Sequence, residues 1–256
     1  MCLSPVRTGS SLPMKPIAIL ETGYPPEALR DSFDDYPARF RALLGEDAQT
    51  VRFDVQQGHL PDDPSAYAGC IVTGSAAGVY EDHHWIPKLT DWLRAARGKT
   101  RLLGICFGHQ VMAHAFGGRV EKSDKGWGVG LHRYDVLTEE PWMHPRSDTI
   151  AIAVSHQDQV TAIPDDARVI ARCDFTPFAG LAYGEDAISF QCHPEFQPAY
   201  AAALTELRRG TRIADELVDA ALDSLKRPND RAVLTAWVRA FLLLTPPPVE
   251  GDGSGI

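Results

Sequence analysis

A cysteine held between two glycines, where an apolar run meets a helix-like stretch, has the setting of a nucleophile. Arg101 to Gly118, RLLGICFGHQVMAHAFGG, is such a stretch. Its apolar residues run into Gly104-Ile105-Cys106-Phe107-Gly108, and helical spacing begins directly afterwards. Small residues two before and two after a nucleophile permit a sharp strand-to-helix turn, which forces the residue at its apex into a strained, exposed position. The turn sets the Cys106 sulfur near a helix N-terminus, whose partial positive charge suits an attacking sulfur. It also leaves the backbone N–H of Phe107 free to face a developing oxyanion. A free cysteine is more often a buried core residue. That reading is kept for Cys70, Cys173 and Cys192, and the paired glycines reverse it at Cys106.

Acyl-transfer chemistry needs a base and a group to orient it. Ser189 to Phe196 reads SFQCHPEF. If this segment is extended, alternation places His193 and Glu195 on one face. The carboxylate can then accept from the imidazole, fix its tautomer and stabilise its charged form. Alone, His-x-Glu is a weak signal. With a cysteine elbow 87 residues earlier (193 − 106) it completes a nucleophile, base and orienter. No metal is expected: the adjacent His83 and His84 point apart on any regular element, and His109 and His114, five apart, do not share a helix face. No cofactor is expected either, since Gly126-Trp127-Gly128-Val129-Gly130 is not a dinucleotide fingerprint. It reads as a loop beside the active site.

Positioning these groups requires a scaffold. Lys15–Glu21 reads as a buried strand, and Thr50–Val55, Ala68–Thr73, Arg101–Ile105 and Ala187–Cys192 read as further strands. Ile86–Ala96 and Gly108–Phe116 read as helices, and Tyr24–Leu44 carries helical spacing broken near Pro37. This alternation predicts an α/β fold: an open, mostly parallel sheet with helices on both faces. Gly130–Val136, Thr149–Val154 and Arg168–Arg172 predict an antiparallel patch added to that sheet. Tyr200–Arg209, Ile213–Leu225 and Asp230–Leu244 predict C-terminal helices. The resulting division is a flexible leader (1–14), a catalytic domain (15–198), a helical extension (199–244) and a disordered tail (245–256). Glu206, Arg208, Arg209, Arg212, Asp215 and Glu216 read as a solvated face.

The 256 residues carry a formal net charge of −9, with no basic block. That disfavours nucleic-acid binding, which needs clustered Lys and Arg. No apolar run approaches the roughly 20 residues that span a bilayer. The five cysteines show no CxxC pair, and the start lacks a signal-peptide core. A reducing, cytoplasmic location is expected.

GICFGHQ and the later HPE together resemble the class I, or triad, glutamine amidotransferases, over roughly Ile17 to Phe196. Ser155-His156-Gln157-Asp158 is similar to the Ser-His-x-Asp segment of the glutaminase domain of GMP synthetases. The resemblance implies a flavodoxin-like open sheet with the cysteine at its elbow. It implies attack by Cys106 on the side-chain amide of glutamine, with His193 as base and Glu195 orienting it. Gln110, Ser155 and His156 would help hold the substrate. Many family members supply the second oxyanion N–H from a Ser-Gly-Gly-Pro loop. Here Thr73-Gly74-Ser75-Ala76 stands in its place, making Gly74 or Ser75 the donor. The Thr-Gly-Ser form, followed by Gly78-Val79-Tyr80, looks more like stand-alone amidotransferase-like proteins and γ-glutamyl peptidases. Some 60 residues follow Phe196, and they read as helices rather than a synthetase. Three readings follow: a glutaminase releasing ammonia, with a possible separate acceptor or synthetase subunit; a γ-glutamyl peptidase; and a non-catalytic regulatory module.

Overall fold

A computed structural model of the protein describes residues 15–242. The expected leader and tail lie outside the described residues, as does the end of the last expected helix.

Among the described residues, eleven strands and six α-helices follow one another: β1 (Ile17–Glu21), α1 (Tyr36–Leu44), β2 (Thr50–Asp54), β3 (Gly69–Val72), α2 (Trp85–Ala96), β4 (Arg101–Ile105), α3 (Phe107–Ala115), β5 (Arg119–Lys122), β6 (Gly128–Val136), β7 (Thr149–His156), β8 (Asp158–Ala162), β9 (Ala167–Arg172), β10 (Gly180–Tyr183), β11 (Ala187–Phe190), α4 (Pro198–Glu206), α5 (Asp215–Ser224) and α6 (Arg231–Phe241). The main sheet has the order β2-β1-β3-β4-β11-β10-β9-β6-β7. Its first five strands are parallel, and β10, β9, β6 and β7 extend it in antiparallel fashion. β5 and β8 pair as a separate antiparallel ribbon. The α/β class and the added antiparallel patch are as the sequence implies.

The period of two decides how the sheet is covered. In β1, Ile17 and Ile19 join a cluster with Phe40 and Leu44 of α1 and Leu234, Trp237 and Phe241 of α6. Ala18 and Leu20 face the opposite cluster, with Leu89 and Leu93 of α2 and Val111 and Met112 of α3. Strands buried on both faces read as unbroken apolar runs, which is why β1, β3 and β4 are legible. α6 thus packs into the same core as β1. No helix among the described residues is long and apolar enough to cross a membrane.

Several boundaries differ from the sequence reading. The helical spacing of Tyr24–Leu44 yields only a short 3-10 turn at Glu27–Leu29 and then α1. Pro37 does not break that helix but lies in its first turn. There a missing N–H costs nothing, and the Asp35 carboxylate caps the Ala38 N–H at 2.7 Å. Gly128-Val129-Gly130, expected in a loop, opens β6. β11 ends at Phe190, so His193 and Glu195 lie in the turn beyond it rather than in a strand.

Candidate active site

Cys106 stands at the junction of β4 and α3, with φ 55° and ψ −102°. It is the one non-glycine residue with positive φ among the described residues. Two close approaches hold it there. A Cβ on Gly108 would sit 2.2 Å from the Val72 carbonyl oxygen, and one on Gly104 would sit 2.5 Å from the Gly108 carbonyl oxygen. Both lie far inside van der Waals contact with backbone, so α3 reaches β3 and β4 only with glycine at these positions. The Cys106 N–H donates to the Phe190 carbonyl at 2.9 Å, tying the elbow to the end of β11.

The same tie carries the chain into the turn that presents His193. Its backbone N–H donates to Ala153 of β7 at 2.9 Å. Its Nδ1–H donates to Glu195 Oε1 at 2.7 Å, both side chains being almost fully buried. The Phe196 ring stacks on the imidazole at 3.9 Å, 8° from parallel. The Cys106 thiol lies within hydrogen-bonding reach of the same ring. Burial opposes the charged imidazole, but the Glu195 carboxylate and the Cys106 sulfur outweigh it and raise the pKa of His193 to about 10. The stabilisation this contributes is fully present below about pH 6.5, the unfolded histidine value. It is lost as pH rises from there through about 10. Glu195→Gln is expected to move the alkaline limb of kcat/KM to lower pH and to flatten that part of the stability profile. Glu195→Ala should cost less turnover than His193→Ala, because it leaves the imidazole in place. An unmoved alkaline limb in the glutamine variant would show that Glu195 does not act through His193.

The loop after β3 closes the other side. A Cβ on Gly74 would lie 3.2 Å from His193 Cε1 and 3.7 Å from Cys106 Cβ, so its backbone borders both groups. Thr22 fixes this loop: its N–H donates to Thr73 Oγ1 at 3.0 Å, and its hydroxyl donates to the Thr73 carbonyl at 2.9 Å. The Phe107 ring is fully buried against Trp85. Only its backbone can face the site, and the N–H groups of a helix's first turn have no intrahelical acceptor.

A cavity of about 190 Å³ opens over Cys106, lined by Ser75, Gln110, Ser155 and His156 among others. The polar groups of the three expected substrate residues are largely engaged within the protein. Gln110 donates to the Asp158 carbonyl at 2.8 Å and to Gln191. Ser155 accepts from Arg208. His156 donates from Nδ1 to the Asp158 carbonyl, and burial pushes its pKa down to about 3, so it is neutral. Its buried Nε2 has no partner. Arg208 does not belong to a solvated face. It follows the end of α4, lies with its guanidinium 4.8 Å from the Trp127 ring and faces the cavity. Trp127 walls the same cavity. A larger cavity, about 860 Å³ beside Glu21 and Asp35, has no cysteine or histidine in its lining. The smaller one is the one that Cys106 lines.

A mostly parallel sheet with a cysteine at its strand-to-helix elbow, faced by a histidine–carboxylate pair, defines an α/β enzyme of the cysteine-nucleophile kind. The family model described as glutamine amidotransferase class-I matches residues 35–204, and the chain belongs to that family. It is similar to gamma-glutamyl peptidase 5 of Arabidopsis thaliana, with 31% identity over 177 residues that make up 66% of this chain and 70% of that protein. It is also similar to a glutamine-hydrolyzing GMP synthase of Porphyromonas gingivalis, with 33% identity over 53% of this chain but only 26% of that protein. The crystal structure of a glutamine amidotransferase from Thermotoga maritima shares the fold, with a TM-score of 0.70 and 18% identity, over 89% of this chain and 96% of that one.

Proposed function

We propose that the protein hydrolyses the γ-glutamyl amide bond of glutamine through a cysteine thioester. The observation that carries this reading is Cys106 in the wall of a cavity, with the hydrogen-bonded His193–Glu195 pair buried beside its sulfur. The Cys106 thiol gives its proton to His193, and Sγ attacks the γ-carbonyl carbon. Negative charge on the carbonyl oxygen is met by the N–H of Phe107 and that of Gly74 or Ser75. His193 returns the proton to the amide nitrogen, the C–N bond breaks, and ammonia leaves. Water then attacks the thioester, with its proton taken by His193, releasing glutamate and restoring the thiol. Glu195 orients the imidazole and offsets its charge throughout. Gln110, Ser155 and His156 shape the pocket for the γ-glutamyl group, and Arg208 holds Ser155 in place. The free thiols among the described residues support a cytoplasmic setting.

A second leaving group is favoured by one observation. A groove of about 580 Å³ shares the Ser75-Ala76-Ala77 wall with the Cys106 cavity. Ammonia needs no such space, whereas a peptide amine does, and γ-glutamyl peptides are the second substrate class. Comparing ammonia release from glutamine with cleavage of γ-glutamyl peptides tests both. Turnover of at least one by the isolated protein is expected. If protein with an alkylatable Cys106 cleaves neither, and cell extract restores glutamine turnover, the enzyme depends on a separate acceptor or synthetase subunit.

A further inference from the structure

We infer that the groove beside the catalytic cavity is an anion subsite in which Arg30 and Arg212 bind a carboxylate on the leaving-group side of a γ-glutamyl peptide. This inference rests on the γ-glutamyl reading of the Cys106 site and specifies the amine that departs.

The groove and the cavity share Ser75, Ala76, Ala77, Glu81, Arg208 and Arg212 in their linings, so they form one continuous space bent around the loop after β3. Three guanidinium groups converge on the groove: Arg30 from the segment after β1, and Arg208 and Arg212 from the connection between α4 and α5. None of the three reaches a carboxylate among the described residues. Arg30 donates to the Pro25 carbonyl and Arg208 to the Ser155 hydroxyl. The groove's one acidic side chain is Glu81, with His83 Nε2 at 3.0 Å from its carboxylate. In a chain with a net charge of −9, three guanidiniums without carboxylate partners around one concave surface form a local positive field.

Chemistry selects the ligand. The γ-glutamyl group occupies the cavity over Cys106, so the groove receives what lies beyond the scissile nitrogen. In glutamine that is hydrogen. In a γ-glutamyl peptide it is an amino acid whose α-carboxylate lies two bonds from the nitrogen, or a dipeptide with its carboxylate one residue further, about 3.5 Å more of chain. Guanidinium recognises carboxylate through paired, charge-assisted hydrogen bonds, stronger than neutral ones. Arg30 and Arg212 are both exposed, and Arg30 engages only its Nε, with the Pro25 carbonyl, which leaves its terminal nitrogens to meet an incoming anion.

The experiment compares glutamine, γ-glutamylalanine and γ-glutamylalaninamide as substrates of the full chain. The wild type is expected to cleave the acid with kcat/KM about tenfold or more above that of the amide. In the R30A variant, whose residue lines the groove but not the Cys106 cavity, that ratio is expected to fall several-fold, through a raised KM for the acid alone, with glutamine turnover unchanged. Equal turnover of acid and amide by the wild type overturns the subsite and leaves the γ-glutamyl reading standing. So does an R30A variant that loses activity on all three substrates in proportion. Failure of wild-type protein with an alkylatable Cys106 to cleave any of the three overturns the γ-glutamyl reading, and the subsite with it.

Discussion

Cys106→Ala is expected to remove turnover of every γ-glutamyl substrate, by a factor on the order of 10⁴ or more, while the protein stays folded. The expected loss is large because, in the proposed mechanism, Sγ forms the covalent intermediate, and neither the His193–Glu195 pair nor the oxyanion donors can substitute for it. The fold survives because the neighbouring glycines and the Cys106 N–H bond to Phe190 set the elbow, and alanine keeps that N–H. Cys106→Gly separates strain from chemistry. At φ 55° and ψ −102° a residue with a Cβ is strained by roughly 1–3 kcal/mol, and glycine is not. Glycine itself costs roughly 0.5–1 kcal/mol relative to alanine in chain entropy. The glycine variant should therefore be inactive yet melt above the alanine variant, by about 2–4 °C for a net gain near 1 kcal/mol. Thermal melts and a glutaminase assay on both variants decide the matter. Retention of more than about a hundredth of wild-type turnover in the alanine variant contradicts the nucleophile assignment. The reverse melting order contradicts stored strain at the elbow.

The elbow was legible because its requirements are local. Two glycines, the cysteine between them and the change from apolar run to helical spacing all fall within Gly104–Gly108. The His193–Glu195 pair was found on a different ground from the one that holds it. Strand alternation suggested a shared face, whereas the two residues lie in a turn past β11. There the 2.7 Å hydrogen bond and the Phe196 ring set their orientation. Arg208 was illegible as a site residue. Its spacing follows its charged neighbours, but α4 ends at Glu206, and the following residues leave helical register. Its partner Ser155 is 53 residues away, a separation that no local pattern records. Leu29 and Phe33 mimicked a helix for a related reason. They cluster with Tyr36, Phe196 and Tyr200, so tertiary packing rather than helical periodicity accounts for their apolar character. β5 and β10 escaped notice for opposite reasons. β5 buries one residue of four and β10 buries all four, so neither alternates.

Gly108→Ala is expected to be the most damaging glycine-to-alanine change among the described residues. The new Cβ would stand 2.2 Å from the Val72 carbonyl oxygen, 2.9 Å from its carbonyl carbon and 3.0 Å from its Cβ. Two of these three atoms are backbone of β3, a central strand paired on both sides by β1 and β4, so no rotamer change relieves the clash. α3 must move off the sheet. That would break the bond from the Gly108 N–H to the Thr73 carbonyl, 3.2 Å in the native fold. Overpacking a core costs typically about 1–3 kcal/mol where side chains can give way. Here backbone meets backbone, and a loss at or above about 3 kcal/mol is expected in urea melts. The functional loss exceeds what stability alone predicts, because the displaced helix carries the Phe107 N–H and tilts Cys106 away from His193. A misplacement of about 1 Å is enough to cost on the order of 10²-fold in turnover. Alanine raises intrinsic helix propensity relative to glycine by about 1 kcal/mol, so a helix limited by propensity would gain from this change. The sign of the stability change therefore discriminates directly. A variant as stable as wild type, with undiminished alkylation of Cys106, would mean that α3 does not rest on Val72 and that the elbow is not held by this contact.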